Sequence, residues 1–338
     1  MLIPQLRLGL LIATVIASLD VAAAARVWTL TDVHIAGAVP GTAGPVATGY
    51  FTYDDTTRTI TNWNVRVGLP PAVAFPAFTY VPGNSTMYVF DPGGRPPMLG
   101  FSAVMGVPGP DFGVRQLQLA PLAALDANNA PVALDSNDSR EDFISLGPTQ
   151  RRPIIAGSLT LASLPPPIAI VQVDEFYNPT LRHYFMTASA TEKQDLDTGV
   201  HPGWMRTGES FKAFVTGSSA GGSINPVCRF YSDPQNPDTG GVDSHFYSAD
   251  AGECLSIFRR YASSFWMLES DNVFQVNLPD KTTGTCAAGT IPVYRLWNQR
   301  TDSNHRYTTS LAIKAQMLAA GFTAEGYGPD GVAMCAVQ

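Results

Sequence analysis

The sequence predicts an all-β protein in two parts: an N-terminal β-sandwich, then a pseudo-threefold, β-trefoil-like repeat domain with short helices. Three observations carry that expectation. A phrase recurs three times in the second half, as His183-Tyr184-Phe185-Met186-Thr187, His245-Phe246-Tyr247-Ser248-Ala249 and His305-Arg306-Tyr307-Thr308-Thr309. The first half is a run of short alternating segments parted by turn residues. The composition, 14% charged with 30 Gly and 27 Pro in 338 residues, suits strands and turns better than helices.

Residues 1–25 read as a cleaved secretory signal. Arg7 gives a positive opening, an apolar run follows over 8–17, and Ala22-Ala23-Ala24-Ala25 fits the cleavage site. The run is too short for the roughly 20 residues a membrane helix needs, and Asp20 interrupts its end. The mature protein is therefore expected to be secreted or periplasmic, without a membrane partner. The formal charge is -7 and no basic cluster exceeds Arg151-Arg152 or Arg259-Arg260, which argues against nucleic acid as a partner. Four cysteines in an exported chain read as two disulfides. Of the three pairings, Cys228–Cys254 and Cys286–Cys335 are favoured. The second would close a loop worth roughly 3–4 kcal/mol on the chain-entropy view.

Residues 26–163 form the expected sandwich. Alternation marks strands over 28–35, 47–53, 60–67, 78–81, 86–90, 99–104, 115–119 and 157–161. The stretch 119–125 reads as one helical turn. The acidic run 135–142 reads as a solvated loop, because it lacks the spacing of a calcium loop. The motifs Gly49-Tyr50-Phe51-Thr52-Tyr53-Asp54 and Thr61-Asn62-Trp63-Asn64-Val65, after Trp28, resemble the N-terminal domain of exported bacterial proteins that carry an exosortase sorting tag. The final residues, Met334-Cys335-Ala336-Val337-Gln338, do not match that tag.

Consecutive prolines make 164–168 a stiff linker. The repeat domain follows over 169–338. Each copy has an aromatic-centred strand, a His strand, a helix and an aromatic turn, the last at Trp204, Phe265 and Phe322, before a closing strand. Helices are expected over 190–196, 251–261 and 311–320. Aligning the three histidines places Phe185, Tyr247 and Tyr307 on one face with the imidazoles. Tyr184, Phe246 and Arg306 fall on the other face.

The third copy, Val293-Tyr294-Arg295-Leu296-Trp297-Asn298 with Asp302, His305, Tyr307-Thr308, Gly321-Phe322 and Glu325-Gly326, resembles the extracellular HFYT repeats of unknown function. The second copy adds Asp243, His245-Phe246-Tyr247 and Glu253. The resemblance implies an accessory module of a secreted protein, with no established ligand.

Three histidines invite a metal site, but a local bond to Asp243 or Asp302 explains the repetition better, and no metal or cofactor is expected. Gly217-Ser218-Ser219-Ala220-Gly221 spells a nucleophile elbow, yet the Gly-Gly-Ser-Ile-Asn-Pro that follows cannot start a helix. No enzyme is expected. The leading expectation is a non-catalytic, monomeric binding protein that recognises carbohydrate or cell-wall polymer. The residues expected to touch the ligand are Tyr177, Asn178 and His183; Tyr231, Asp243 and His245; and Trp297, Asn298, Asp302 and His305. A structural or protein-binding exoprotein and a hydrolase-associated module are the other two readings.

Overall fold

The computed structural model describes residues 25–37, 44–68, 75–105, 113–126, 128–145, 147–164, 167–217, 224–235, 241–261 and 265–338. The signal expected over 1–25 lies outside them except for residue 25. So do residues 165–166 of the linker and most of the Gly217–Gly221 loop. The described residues are mostly strand, in several antiparallel sheets, none closed into a barrel, with three short helices among them. No helix among the described residues is long and apolar enough to cross a membrane.

The first half holds β1 (Arg26–Ile35), β2 (Val46–Asp54), β3 (Thr59–Val67), β4 (Phe78–Tyr80) and β5 (Thr86–Phe90). It continues with β6 (Met98–Met105), β7 (Gly113–Leu119), β8 (Val132–Ala133), β9 (Arg140–Ser145) and β10 (Gln150–Ala162). Their order is β4-β3-β2-β1-β10-β9-β7-β6-β5, with β8 beside β10. The long β10 joins the two arms: residues 154–162 pair with β1, and 150–153 pair with β9. Gly157, at φ 141°, sits where the β1 register shifts; a Cβ there would come within 2.7 Å of Val33. Trp28, Phe51, Trp63 and Tyr80 from one arm share a core with Phe101, Leu117 and Phe143 from the other. The Phe101 ring lies 6.0, 6.4 and 6.3 Å from those of Phe51, Trp63 and Tyr80.

Two expectations are corrected here. Residues 119–125 form no helix, because Pro121 bridges to Leu134 instead. The acidic run is loop only over its first part; Arg140, Glu141 and Asp142 belong to β9, and Glu141 is completely buried. Arg115 on β7 and Arg152 on β10 flank that carboxylate from neighbouring strands. Nitrogens of Arg115 and Arg152 lie 2.6 Å from its two oxygens. Two guanidiniums make burial of the charge possible, which composition alone does not reveal.

The second half holds β11 (Ile170–Asn178), β12 (His183–Thr187), α1 (Ala190–Asp197), β13 (Met205–Phe214) and β14 (Ile224–Pro226). Next come β15 (Cys228–Ser232), β16 (Ser244–Ser248), α2 (Ala251–Tyr261), β17 (Met267–Ser270) and β18 (Gln275–Asn277). The chain ends with β19 (Thr290–Trp297), β20 (His305–Thr308), α3 (Leu311–Ala319), β21 (Thr323–Glu325) and β22 (Val332–Val337). Hairpins β11–β12, β15–β16 and β19–β20 head the three copies. The closing strands β13, β18 and β22 are bridged pairwise, through Phe214 with Gln275, Asn277 with Cys335, and Lys212 with Val337. One apolar cluster draws Phe176, Met186, Tyr247, Phe274, Tyr307 and Met334 from all three copies. Both favoured disulfides are formed, Cys228–Cys254 and Cys286–Cys335.

The two halves touch. Leu255 on α2 is buried in the core of the first half, and the Arg259 guanidinium lies 4.3 Å over the Phe143 ring. Asp271 accepts from Arg66 at 2.6 Å and from Thr79 at 3.2 Å.

Candidate functional site

The first copy lies one residue away from the alignment the histidines suggest, while His245 and His305 stay equivalent. Thr187, Ser248 and Thr308 each accept, through the side-chain hydroxyl, the backbone N–H two residues on, at 3.0 Å in all three copies. Those N–H groups belong to Ser189, Asp250 and Ser310, whose side chains cap α1, α2 and α3. At the other end of the strand, Arg182, Asp243 and Ser303 all adopt positive φ, 59°, 51° and 37°. Both marks equate His183 with Ser244 and Asn304, and Tyr184 with His245 and His305. The turn strands agree: Met205, Met267 and Thr323 pair with Tyr177, Tyr231 and Trp297. The turn aromatic of the second copy is therefore Trp266, not Phe265.

The corrected alignment makes the contacts between copies intelligible. Met186, Tyr247 and Tyr307 become equivalent and meet at the centre. There Tyr247 Oη donates to Met186 O at 2.7 Å, and Tyr307 Oη donates to Tyr247 O at 2.8 Å. Arg229 of the second copy grips Glu192 on α1 of the first at 2.9 and 2.7 Å. Its Nε also donates to Glu269 in its own turn, at 2.6 Å. Arg295 of the third copy repeats this with Glu253 on α2, at 2.9 and 2.8 Å, and with Glu325, at 3.1 Å. The third junction reverses the charges: Glu175 stands where the arginines stand, and Arg306 binds it at 2.9 and 2.8 Å. Ile313 takes the place of the helix glutamate in α3.

The imidazoles do not converge. His183 Nδ1 lies 2.9 Å from Asp243 O and its Nε2 3.3 Å from Asp302, both in other copies. His245 and His305 face the turn carboxylates of their own copies, Glu269 at 3.5 Å and Glu325 at 3.2 Å. Among the described residues, no group of three or more His, Cys, Asp or Glu side chains is placed to hold a metal ion.

Between the first and second copies opens a cleft of about 460 Å³, within the usual range of roughly 300–1,000 Å³ for small-ligand sites. Its wall combines rings with charge. Tyr231 stacks on His245 at 4.7 Å, Phe185 lies 4.6 Å from the same imidazole, and Trp204 meets Phe185 edge-on at 5.9 Å. Glu192, Glu269, Asp243, Arg229, His201 and Gln235 supply the polar lining. Tyr231 Oη donates to Asp243 Oδ1 at 3.1 Å, fixing both.

The environment sorts these groups electrically. Burial, then the nearby Arg229 and His183, hold His245 well below the usual histidine range, so its ring is neutral. Burial pushes the Glu269 carboxyl up against the pull of Arg229. Burial acts on Glu192 in the same sense, but the bonds and charge of Arg229 outweigh it and the carboxyl titrates low. His305 is also lowered, by burial first.

The residues expected to bind ligand therefore divide. Tyr231, Asp243 and His245 line the cleft. Tyr177 packs on Tyr184 at 4.7 Å, and buried Asn178 accepts the turn N–H groups of Thr180 and Leu181. Trp297 Nε1 donates to Ser303 Oγ, and Asn298 Nδ2 donates to Asp302. Asp302 also holds Arg300, while buried His305 meets Glu325. Glu192, His201, Trp204 and Glu269 escaped sequence reading as site residues. The signal that could have found the two glutamates is the recurrence of a glutamate at the third helical position, Glu192 and Glu253, and in the turn, Glu269 and Glu325.

A histidine whose folded pKa lies below its unfolded value stabilises the fold above about pH 6.5 and loses that contribution as pH falls below it. His245 and His305 both have this sign; Glu269 opposes them only as pH approaches the carboxylate range. Denaturant midpoints should fall between pH 6.5 and 5.5, each histidine contributing up to about 1.4 kcal/mol over that unit. The double variant His245→Gln/His305→Gln should flatten the slope, and an unchanged slope would refute the assignment.

No curated protein and no solved structure matches the chain. A DUF5648 domain, a domain of unknown function, covers residues 172–332, a span that holds all three copies except the first two residues of β11 and all of β22 after Val332.

Proposed function

We propose that this is an exported, non-catalytic binding protein whose C-terminal half recognises carbohydrate, such as a cell-wall polymer, through the cleft between its first two copies. The observation that carries the reading is the cleft itself: aromatic faces of Tyr231 and Trp204 beside Asp243, Glu269, Gln235 and His201. Sugars offer the complementary surface, an apolar ring face that stacks on aromatics and hydroxyls that donate to carboxylates. In this reading the front half is a β-sandwich that carries a pseudo-threefold, trefoil-like module. The ligand in this reading occupies that one cleft rather than one pocket per repeat.

A glycan array followed by titration calorimetry tests it. Tyr231→Ala and Trp204→Ala should each weaken the best ligand about tenfold, the loss of roughly 1.4 kcal/mol of stacking and contact. Trp297→Ala, outside the cleft, should bind as the parent does. An array without ligands, or affinity insensitive to Tyr231, counts against the proposal.

A further inference from the structure

We propose that the sugar taken by this cleft carries a free, protonated amino group, as glucosamine-type residues do, rather than an acetamide or a carboxylate. The inference rests on the carbohydrate reading and adds its chemical class. Three carboxylates, Glu192, Glu269 and Asp243, line the cleft against one guanidinium, Arg229, leaving two negative charges in excess. Arg229 gives no help to an anion, because Glu192 takes both its Nη atoms and Glu269 takes Nε. A uronic acid would therefore place a further negative charge beside three carboxylates. The hydroxyls of a neutral sugar would replace the water bonds of those carboxylates but return no charge, so they compensate a partly buried anionic site less well than a cation does. An ammonium supplies the missing charge and three donors to oxygens that only accept. Asp243 is the one carboxylate of the three that Arg229 does not hold, and with one oxygen bonded to Tyr231 it retains further acceptor positions.

The test uses the full chain at near-physiological salt, titrated with tetramers of glucosamine, N-acetylglucosamine and galacturonic acid, and with tetralysine. The glucosamine tetramer should bind at least about tenfold more tightly than its acetylated form, and galacturonate should not bind. Tetralysine, which matches the charge without the rings, should compete poorly. Asp243→Asn should erase most of the preference. Asparagine tolerates the positive φ of that position and can still accept from Tyr231, so the variant should fold. Equal affinity for both amino sugars, with Tyr231→Ala still weakening it about tenfold, overturns the amine selectivity and leaves the carbohydrate cleft standing. Tetralysine binding as well as the sugar overturns both readings, as does the absence of any sugar binding.

Discussion

Glu141→Gln is expected to cost the protein about 3–5 kcal/mol of folding stability, read as a shift of the urea midpoint without a change in slope. The carboxylate is fully buried between Arg115 and Arg152, themselves buried, and the Tyr80 hydroxyl lies 3.4 Å away. Arg115 and Arg152 also lie 5.2 and 4.5 Å over the Phe78 and Phe75 rings. Neutralising Glu141 leaves two guanidiniums together in an apolar core with no counter-charge. That is a heavier loss than deleting a contact, since each ion was desolvated only because the carboxylate compensated it. Arg152→Met in the Glu141→Gln background should recover part of the loss. A cost below about 1 kcal/mol for Glu141→Gln, the range of an exposed pair, would refute the account.

Glu175→Arg should be about as damaging, at roughly 3–5 kcal/mol, because it opposes Arg306 across a junction where both side chains are largely buried. The repeat analysis predicts how to repair it. At the other two junctions an arginine at this position meets a glutamate at the third helical position, and the residues equivalent to Arg306 are Phe185 and Phe246. The triple variant Glu175→Arg/Arg306→Phe/Ile313→Glu rebuilds that pattern and should regain more than half of the lost stability. Failure of the triple variant to exceed the single one would mean that the junctions are not equivalent.

Much of the second half was legible. The helices were readable in part because each follows a capping residue, Ser189, Asp250 or Ser310; α2, which has a clear apolar face, spans the expected 251–261. The disulfides were readable because each ties neighbouring elements of one copy. The register was misread because histidine is the most conspicuous residue of the phrase, whereas the residues that fix the backbone are the Thr or Ser before each cap. In the first copy the histidine precedes that frame by one place and Tyr184 fills its slot. β9 was hidden by its own charges: Arg140, Glu141 and Asp142 look solvated until Arg115 and Arg152 arrive from strands 26 and 11 residues away from Glu141. The cleft was out of reach because its wall mixes two copies, and chain-distant loops leave no periodic trace.

Leu255 has a practical consequence for anyone who dissects the chain. Its helix belongs to the second copy, yet its side chain is buried in the apolar core of the opposite half, where it lines one cavity with Phe78 and Met105. Severing the protein at its prolines would bare a greasy socket on one fragment and a protruding plug on the other. The acid at position 271 would lose Arg66 at the same stroke. Each fragment should therefore be sticky alone, and mixing them should restore solubility.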